Sequence, residues 1–257
     1  MEVFGLDIGG SGIKGAPVDT QTGELTSERV RIKTPRPSTP EAIAETCVAV
    51  VRESGWEGPI GCGFPAVIKE GVIQTAANVD DANIGFDLRG ALQDALGSEV
   101  FLVNDADAAG MAEIKWGAGR DVPGVVIMVT LGTGLGTALF VDGKLVPNTE
   151  LGHIEVRGKD AEWRASDSAR KRENLGWKKY GQRLDEYLNR MDALFWPDRF
   201  ILGGGISKKA DKFLPEVSTR AEVVTAEMHN EAGIAGAALA SVSQAERLPN
   251  ATGRAAS

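Results

Sequence analysis

The chain begins with two short apolar runs, residues 3–8 and 13–18, separated by Gly9-Gly10-Ser11-Gly12. The same arrangement returns at residues 125–130 and 137–141, around Gly132-Thr133-Gly134-Leu135-Gly136. Apolar runs of this length, rich in β-branched residues and bounded by glycine, predict strands, so each unit reads as strand, glycine turn, strand. A third strand is predicted over 25–33. Ser38 or Thr39, followed by Pro40 and Glu41, then opens a helix that runs to about Ser54. Further strands are predicted over 59–64, 99–103, 199–202 and 222–225, and a short hairpin through Lys69-Glu70-Gly71. Helices are predicted over 87–96, from Asn104-Asp105 onward, over 181–194 and over 230–244. The stretch after Pro147 reads as irregular. The last helix is so rich in Gly and Ala that it should pack closely on a neighbour.

The repeated unit predicts a mixed α/β protein of two domains. Its recurrence places the boundary near Asp105: residues 1–105 with a returning helix at about 230–245, then 106–229. Residues 246–257 read as a polar, disordered tail.

The glycine turns suggest the chemistry. Without a Cβ, successive N–H groups can converge on phosphate oxygens. The spacing of Gly132, Gly134 and Gly136 is GxGxG, and a strand follows it; a dinucleotide fold needs GxGxxG opening a helix. No GxxxxGK[ST] is present, which excludes a P-loop. A tight hairpin with no ligand is the alternative for either turn alone. Two of them, with Asp7 in the first and Thr130, Thr133 and Thr137 around the second, favour a phosphoryl donor held by two related halves.

Composition narrows the partners. The net charge of −8 argues against nucleic acid as a general partner. No apolar run approaches the roughly 18 residues of a membrane span, and no signal-like segment or helix-turn-helix is expected ahead of the first strand. Cys47 and Cys62 are the only cysteines, one in a helix pattern and one in a strand pattern. Two reduced buried thiols and a cytoplasmic location are expected.

Asn104-Asp105 lies where an apolar strand meets a helix, the usual place for ligand-binding residues in α/β folds. A carboxylate there can take the proton of a hydroxyl nucleophile, while helix capping is the alternative reading. In Glu150-Leu-Gly-His153-Ile-Glu155 a histidine lies close to two carboxylates, and Gly152 could bend them onto a polyhydroxy ligand. Gly63-Phe64-Pro65-Ala66 closes a strand with a rigid turn that could face a ligand or be only a turn. His229 is assigned no role.

Together these motifs resemble the ROK family of sugar kinases, within the sugar kinase and actin-like ATPase fold, a ribonuclease H-like α/β architecture with a cleft between two domains. The similarity spans roughly residues 2–245, with the motifs in the family's order. It implies that Asp7, Gly9, Gly10, Ser11, Gly12 and Lys14 form the first phosphate motif, and Thr130, Gly132, Thr133, Gly134 and Gly136 the second. Gly203 and Gly204, in Leu202-Gly-Gly-Gly-Ile-Ser207, match the nucleotide-base motif. Gly63, Phe64, Asn104, Glu150 and His153 match sugar-site positions, with Asp105 as base. Glu162 corresponds to a further sugar-binding glutamate, although the spacing differs. Mg²⁺ is the implied cofactor, with Asp7 near it, in contact directly or through water.

Many members carry a zinc-binding cysteine-rich loop after the histidine. Here Arg157-Gly-Lys-Asp-Ala-Glu162-Trp has no cysteine, so no zinc site is expected. That form, with the Ser11-Gly-Ile-Lys14-Gly-Ala version of the first motif, is similar to the polyphosphate-using branch of the family. Its members transfer the terminal phosphoryl group of inorganic polyphosphate, and usually of ATP, to glucose; some also accept mannose. A monomer and a homodimer both fit. An ATP-only kinase for another hexose and a non-catalytic sugar sensor are the rival readings.

Independently of the resemblance, residues 157–183 carry nine basic side chains against four acidic ones, in a chain of opposite net charge. Such a strip suits a polyanion, whereas most charge runs are simply solvated faces.

Overall fold

The computed structural model describes residues 1–76, 79–229 and 231–245. In chain order its elements are β1 (Glu2–Gly9), β2 (Gly12–Asp19), β3 (Val30–Ile32), α1 (Pro40–Glu53), β4 (Ile60–Phe64), β5 (Ile68–Lys69), β6 (Val72–Ile73), α2 (Leu88–Leu96), β7 (Val100–Asn104) and α3 (Asp105–Trp116). There follow β8 (Val125–Leu131), β9 (Leu135–Val141), β10 (Lys144–Val146), β11 (Glu155–Val156), β12 (Lys159–Asp160), α4 (Ala161–Ala165), α5 (Asp167–Arg172), α6 (Trp177–Phe195), β13 (Arg199–Gly203), β14 (Glu222–Thr225) and α7 (Ala232–Ala245).

The chain divides into two compact units within α3. One comprises Met1–Ala108 and the chain from Gly233 onward, the other Ala109–Ala232. The division falls three residues beyond the expected Asp105, because the first turn of α3 stays with the first unit. The expected tail, 246–257, lies outside the described residues, as does Asn230.

Each unit is built on a five-stranded sheet with the same plan. The first has the order β3-β2-β1-β4-β7, the second β10-β9-β8-β13-β14. In both, three strands form an antiparallel meander and two more add in parallel to its first strand. In the first unit β4 and β7 are buried along their whole length, as expected of parallel strands covered on both faces. Phe4, Leu6, Ile8 and Ile13 pack with Ile43, Cys47 and Val50 of α1 and Leu88 and Leu92 of α2. Thr39 caps α1 by accepting from the Ala42 N–H, with Pro40 in the first turn. Both cysteines are free and buried, and burial pushes their thiol pKa values up, so they stay protonated.

The glycine-rich α7 returns to the first unit through contacts without side chains. A Cβ on Gly5 would strike the Ile234 carbonyl, one on Gly61 the Ala237 carbonyl, and one on Gly236 the Ala108 carbonyl. Glycine at these points lets the helix lie directly on β1, β4 and the start of α3, as the composition of α7 predicts.

In the second unit Tyr180, Leu184, Tyr187, Leu188 and Met191 form the buried stripe of α6 against Ile127, Val129, Phe200 and Leu202 of the sheet. The helix starts at Trp177, four residues before its predicted start. Among the described residues no helix is long and apolar enough to cross a membrane.

Two further sequence expectations change. The strand predicted over 25–33 is only Val30–Ile32, with Leu25 joined to Val18 by an isolated bridge, because polar Ser27, Glu28 and Arg29 interrupt it. The stretch after Pro147, predicted irregular, contains a 3-10 turn at Leu151–His153, the β11–β12 hairpin, α4 and α5. Helices of five and six residues are too short to display a 3.6-residue repeat. Their only sequence marks are the N-caps Asp160 and Ser166.

Candidate active site

In the first unit, sheet register gathers the candidate residues at the carboxyl ends of the parallel strands. Asp7 of β1 pairs with Gly63 of β4, Gly63 with Val103 of β7, and Phe64 with Asn104. α/β sheets bind ligands at this edge. β1 and β2 meet through Gly9-Gly10-Ser11-Gly12, and Asp7 lies opposite Lys14 in the ladder. The Lys14 Nζ–Asp7 Oδ2 ion pair is 2.9 Å long. The Asp7 carboxylate also rests on α7, where a Cβ on Gly233 would overlap it. Gly10, at the tip, faces open space.

Arg31 is a cation at this turn that the sequence reading missed. It stands opposite Lys14 in the β2–β3 ladder and donates from Nη2 to the Ser11 carbonyl at 3.2 Å, with its guanidinium over Gly12. Its only sequence mark was a place in the third strand of the meander, where register brings it beside Lys14.

Asn104 and Asp105 divide their work. Asn104 is buried; its Oδ1 accepts from the N–H groups of Ala106 (2.8 Å) and Asp107 (3.1 Å), capping α3, and its Nδ2 donates to the Ala66 carbonyl (3.1 Å). It therefore ties the Gly63–Ala66 turn to the start of α3, where Asp105 is the first residue. Asp105 is half-buried, and its Oδ1 accepts from the Ala106 N–H at 2.8 Å, which fixes the carboxylate. The Phe64 side chain lies in the core and its carbonyl accepts from Ala66 N–H (2.8 Å), so this residue shapes the turn. A Cβ on Gly63 would come within van der Waals range of the Asp105 backbone and the Ala108 side chain.

In the second unit, β8 and β9 meet through Gly132-Thr133-Gly134, with Thr133 exposed and the Gly132 N–H bonded to the Gly134 carbonyl at 3.1 Å. Thr130 pairs with Gly203 of β13. Gly204 follows at φ 82°, with no room for a Cβ against the Leu131 backbone, so the two glycine motifs adjoin. Thr137 is buried; its hydroxyl donates to the Thr149 carbonyl (2.7 Å) and accepts from Leu151 N–H (3.0 Å). Gly152 passes so near the Leu135 carbonyl that a side chain would collide. Both contacts clamp the Glu150–His153 segment onto the hairpin.

Glu150, His153 and Glu162 interact electrostatically. Burial, chiefly, raises the Glu150 pKa. Asp160, a residue not singled out from sequence, holds His153: Nδ1 and Oδ2 are 2.7 Å apart. This hydrogen bond raises the imidazole pKa above its ordinary 6.5, against the opposing effect of burial. Asp160 also accepts from Glu162 N–H at 2.9 Å, and Glu162 Oε2 accepts from Leu135 N–H at 2.8 Å. Four polar residues and the glycine hairpin thus form one braced unit.

His153 should therefore titrate above 6.5 in a proton NMR titration, and Asp160→Asn should lower that value. Since the folded value is raised, the pair's contribution to stability is fully present below the ordinary imidazole range. It is lost as pH rises through the folded value. An unchanged histidine pKa in the variant would contradict the assigned contact.

The basic strip is more tightly paired than its composition suggests. Arg157 and Arg164 share Glu186, Arg172 and Arg183 share Glu173, and Arg170 and Lys171 share Asp167. Among the described residues no three His, Cys, Asp or Glu side chains converge as a metal-ion ligand set.

Two sheets of one plan, each opening on a glycine hairpin, define a sugar kinase and actin-like ATPase fold. Residues 3–169 match the ROK family, and the chain belongs to it. It is 48% identical to the polyphosphate glucokinase of Mycobacterium tuberculosis, over 93% of this chain and 91% of that protein. The crystal structure of the inorganic polyphosphate/ATP-glucomannokinase of Arthrobacter sp. strain KM superposes with a TM-score of 0.91 at 48% identity, covering 95% of this chain and 99% of the other. A ROK family glucokinase from Streptomyces griseus, solved with glucose and AMPPNP, shares the fold with a TM-score of 0.82 at 24% identity, covering 95% of this chain and 100% of the other.

Proposed function

We propose that this protein transfers the terminal phosphoryl group of inorganic polyphosphate, and of ATP, to the 6-hydroxyl of glucose, with mannose as a second acceptor. The observation that carries the reading is the near full-length likeness to polyphosphate-using relatives, joined to the glycine hairpins and to Asp105 fixed at the start of α3.

In this mechanism Asp105 accepts the proton of the 6-hydroxyl as that oxygen attacks the terminal phosphorus, and the bond from that phosphorus to its bridging oxygen breaks, releasing the shortened polyphosphate or ADP. The transition state for phosphoryl transfer is loose, so positioning and charge neutralisation dominate. Asn104 positions the base by capping α3. Glu150, His153 and Glu162 hold sugar hydroxyls, with Asp160 orienting the imidazole so that Nε2 faces the ligand. Backbone N–H groups of the turns at Gly9–Gly12 and Gly132–Gly136 hold phosphate oxygens, assisted by Lys14 and by Arg31. Gly203 and Gly204 bound the nucleotide when ATP is the donor. Asp7 suits a magnesium ion held mainly by phosphates and water: it offers one carboxylate, already paired with Lys14, which favours contact through water. When bound, the ion would neutralise donor oxygens.

Coupled assays of glucose, mannose and fructose, each with ATP or long-chain polyphosphate, test the reading. Glucose 6-phosphate formation with both donors is the expected result. Turnover with ATP alone would remove the polyphosphate assignment, and no turnover with any pair would favour a sugar sensor.

A further inference from the structure

We propose that a pocket on α4 and α5, lined by Lys159, Trp163, Arg164, Arg172 and Arg183, binds a stretch of the polyphosphate chain remote from the phosphoryl group being transferred. The proposal rests on polyphosphate being the donor. The pocket has a volume of about 280 Å³, and Glu173 is the only carboxylate on its wall. Arg164 shares Glu186 with Arg157, so the wider cluster sets five cations against two carboxylates. Each carboxylate is shared by two guanidinium groups, so positive charge is left over after the internal pairs are made. Lys159 has no carboxylate partner among the described residues. The Arg164 Nε is buried and makes no hydrogen bond among them.

Trp163 explains how the charge is presented. It is 61% exposed, unusual for so large an apolar group, and the Arg172 guanidinium lies 4.3 Å from its ring centre. Stacking on an aromatic face holds a guanidinium flat without consuming all its donors. One Arg172 nitrogen donates to the Trp163 carbonyl at 2.6 Å, which fixes the pair further. Arginine forks held rigidly in a concave site suit phosphate oxygens.

The location ties the pocket to the donor. The segment carrying Trp163 and Arg164 is fastened at both ends to the second glycine hairpin. At one end Glu162 accepts from Leu135 N–H (2.8 Å), and at the other Asp167 N–H donates to the Gly132 carbonyl (3.0 Å). The turn assigned to phosphate and the cationic pocket therefore belong to one braced piece of the second unit. A triphosphate ends at the turn; a longer polymer has further phosphates to place, and the pocket offers them cations.

Steady-state kinetics on the full-length protein test this, with Lys159→Gln, Arg172→Gln and the double variant, using long-chain polyphosphate, tripolyphosphate and ATP. Lys159 and Arg172 are exposed, so these changes spare the core. The double variant should raise KM for long-chain polyphosphate by about tenfold or more, with smaller effects at high salt. KM for ATP, KM for tripolyphosphate and kcat at saturation should be unchanged. An unchanged long-chain KM, or an equal rise for all three donors, would overturn the pocket. Absence of polyphosphate turnover in the unmodified protein would instead overturn the donor assignment on which it rests.

Discussion

Asp105→Ala is expected to lower kcat by about 10²-fold or more while leaving the affinity for glucose largely intact, because removing a general base costs the chemical step and not the ground state. The structure makes this a clean experiment. Helix capping at this junction belongs to Asn104, whose Oδ1 accepts from the N–H groups of both Ala106 and Asp107. Deleting the Asp105 carboxylate removes a bond to Ala106 that Asn104 duplicates, so α3 should keep its start. Glucose binding can be followed by calorimetry and turnover by a coupled assay. Near-normal turnover would refute the role of Asp105. A parallel loss of glucose affinity and thermal stability would show that the residue serves the fold. Asn104→Ala should show that second pattern, since it removes the cap and the tie to Ala66 together.

The other large effect concerns stability. Gly236→Ala should destabilise the protein even though alanine is the better helix former. The propensity gain is about 1 kcal/mol. Against it stands a Cβ driven into the Ala108 carbonyl, backbone that no rotamer change can move aside. Overpacking in a tight core costs about 1–3 kcal/mol, and rigid backbone on both sides puts this site at the upper end or beyond. Chemical denaturation should register the loss as a lower midpoint. A stabilised variant would mean that α7 can lift from α3 without cost. Because Ala108 lies one turn after Asp105, kcat should fall with stability, whereas a surface substitution on α7 should change neither.

The hairpins were legible because glycine and β-branched residues are strong local signals, and Asp7, Gly63 and Asn104 because strand ends are visible in the apolar pattern. What escaped depended on pairing between distant segments. Arg31 acquires its meaning from standing beside Lys14 across β2 and β3, and no local pattern marks it. Asp160 reaches His153 through a two-residue hairpin too short to display strand periodicity. The charge of residues 157–183 was legible, but its distribution was not: Glu186 lies outside that stretch and neutralises part of it. Asn104 combines the capping that its sequence position suggests with a tie to Ala66 that no local pattern marks.

The return of α7 to the first unit has a consequence for biosynthesis. Residues 109–232 are contiguous and can assemble as soon as they leave the ribosome. The first unit, although its strands are translated earlier, must wait for α7 to cover β1 and β4. Until then the apolar face that receives Ile234, Ala237 and Ala238 is open to solvent. The half made first is thus finished last, and a chain stalled before residue 233 would leave β1 and β4 uncovered, a natural target for chaperones and proteases.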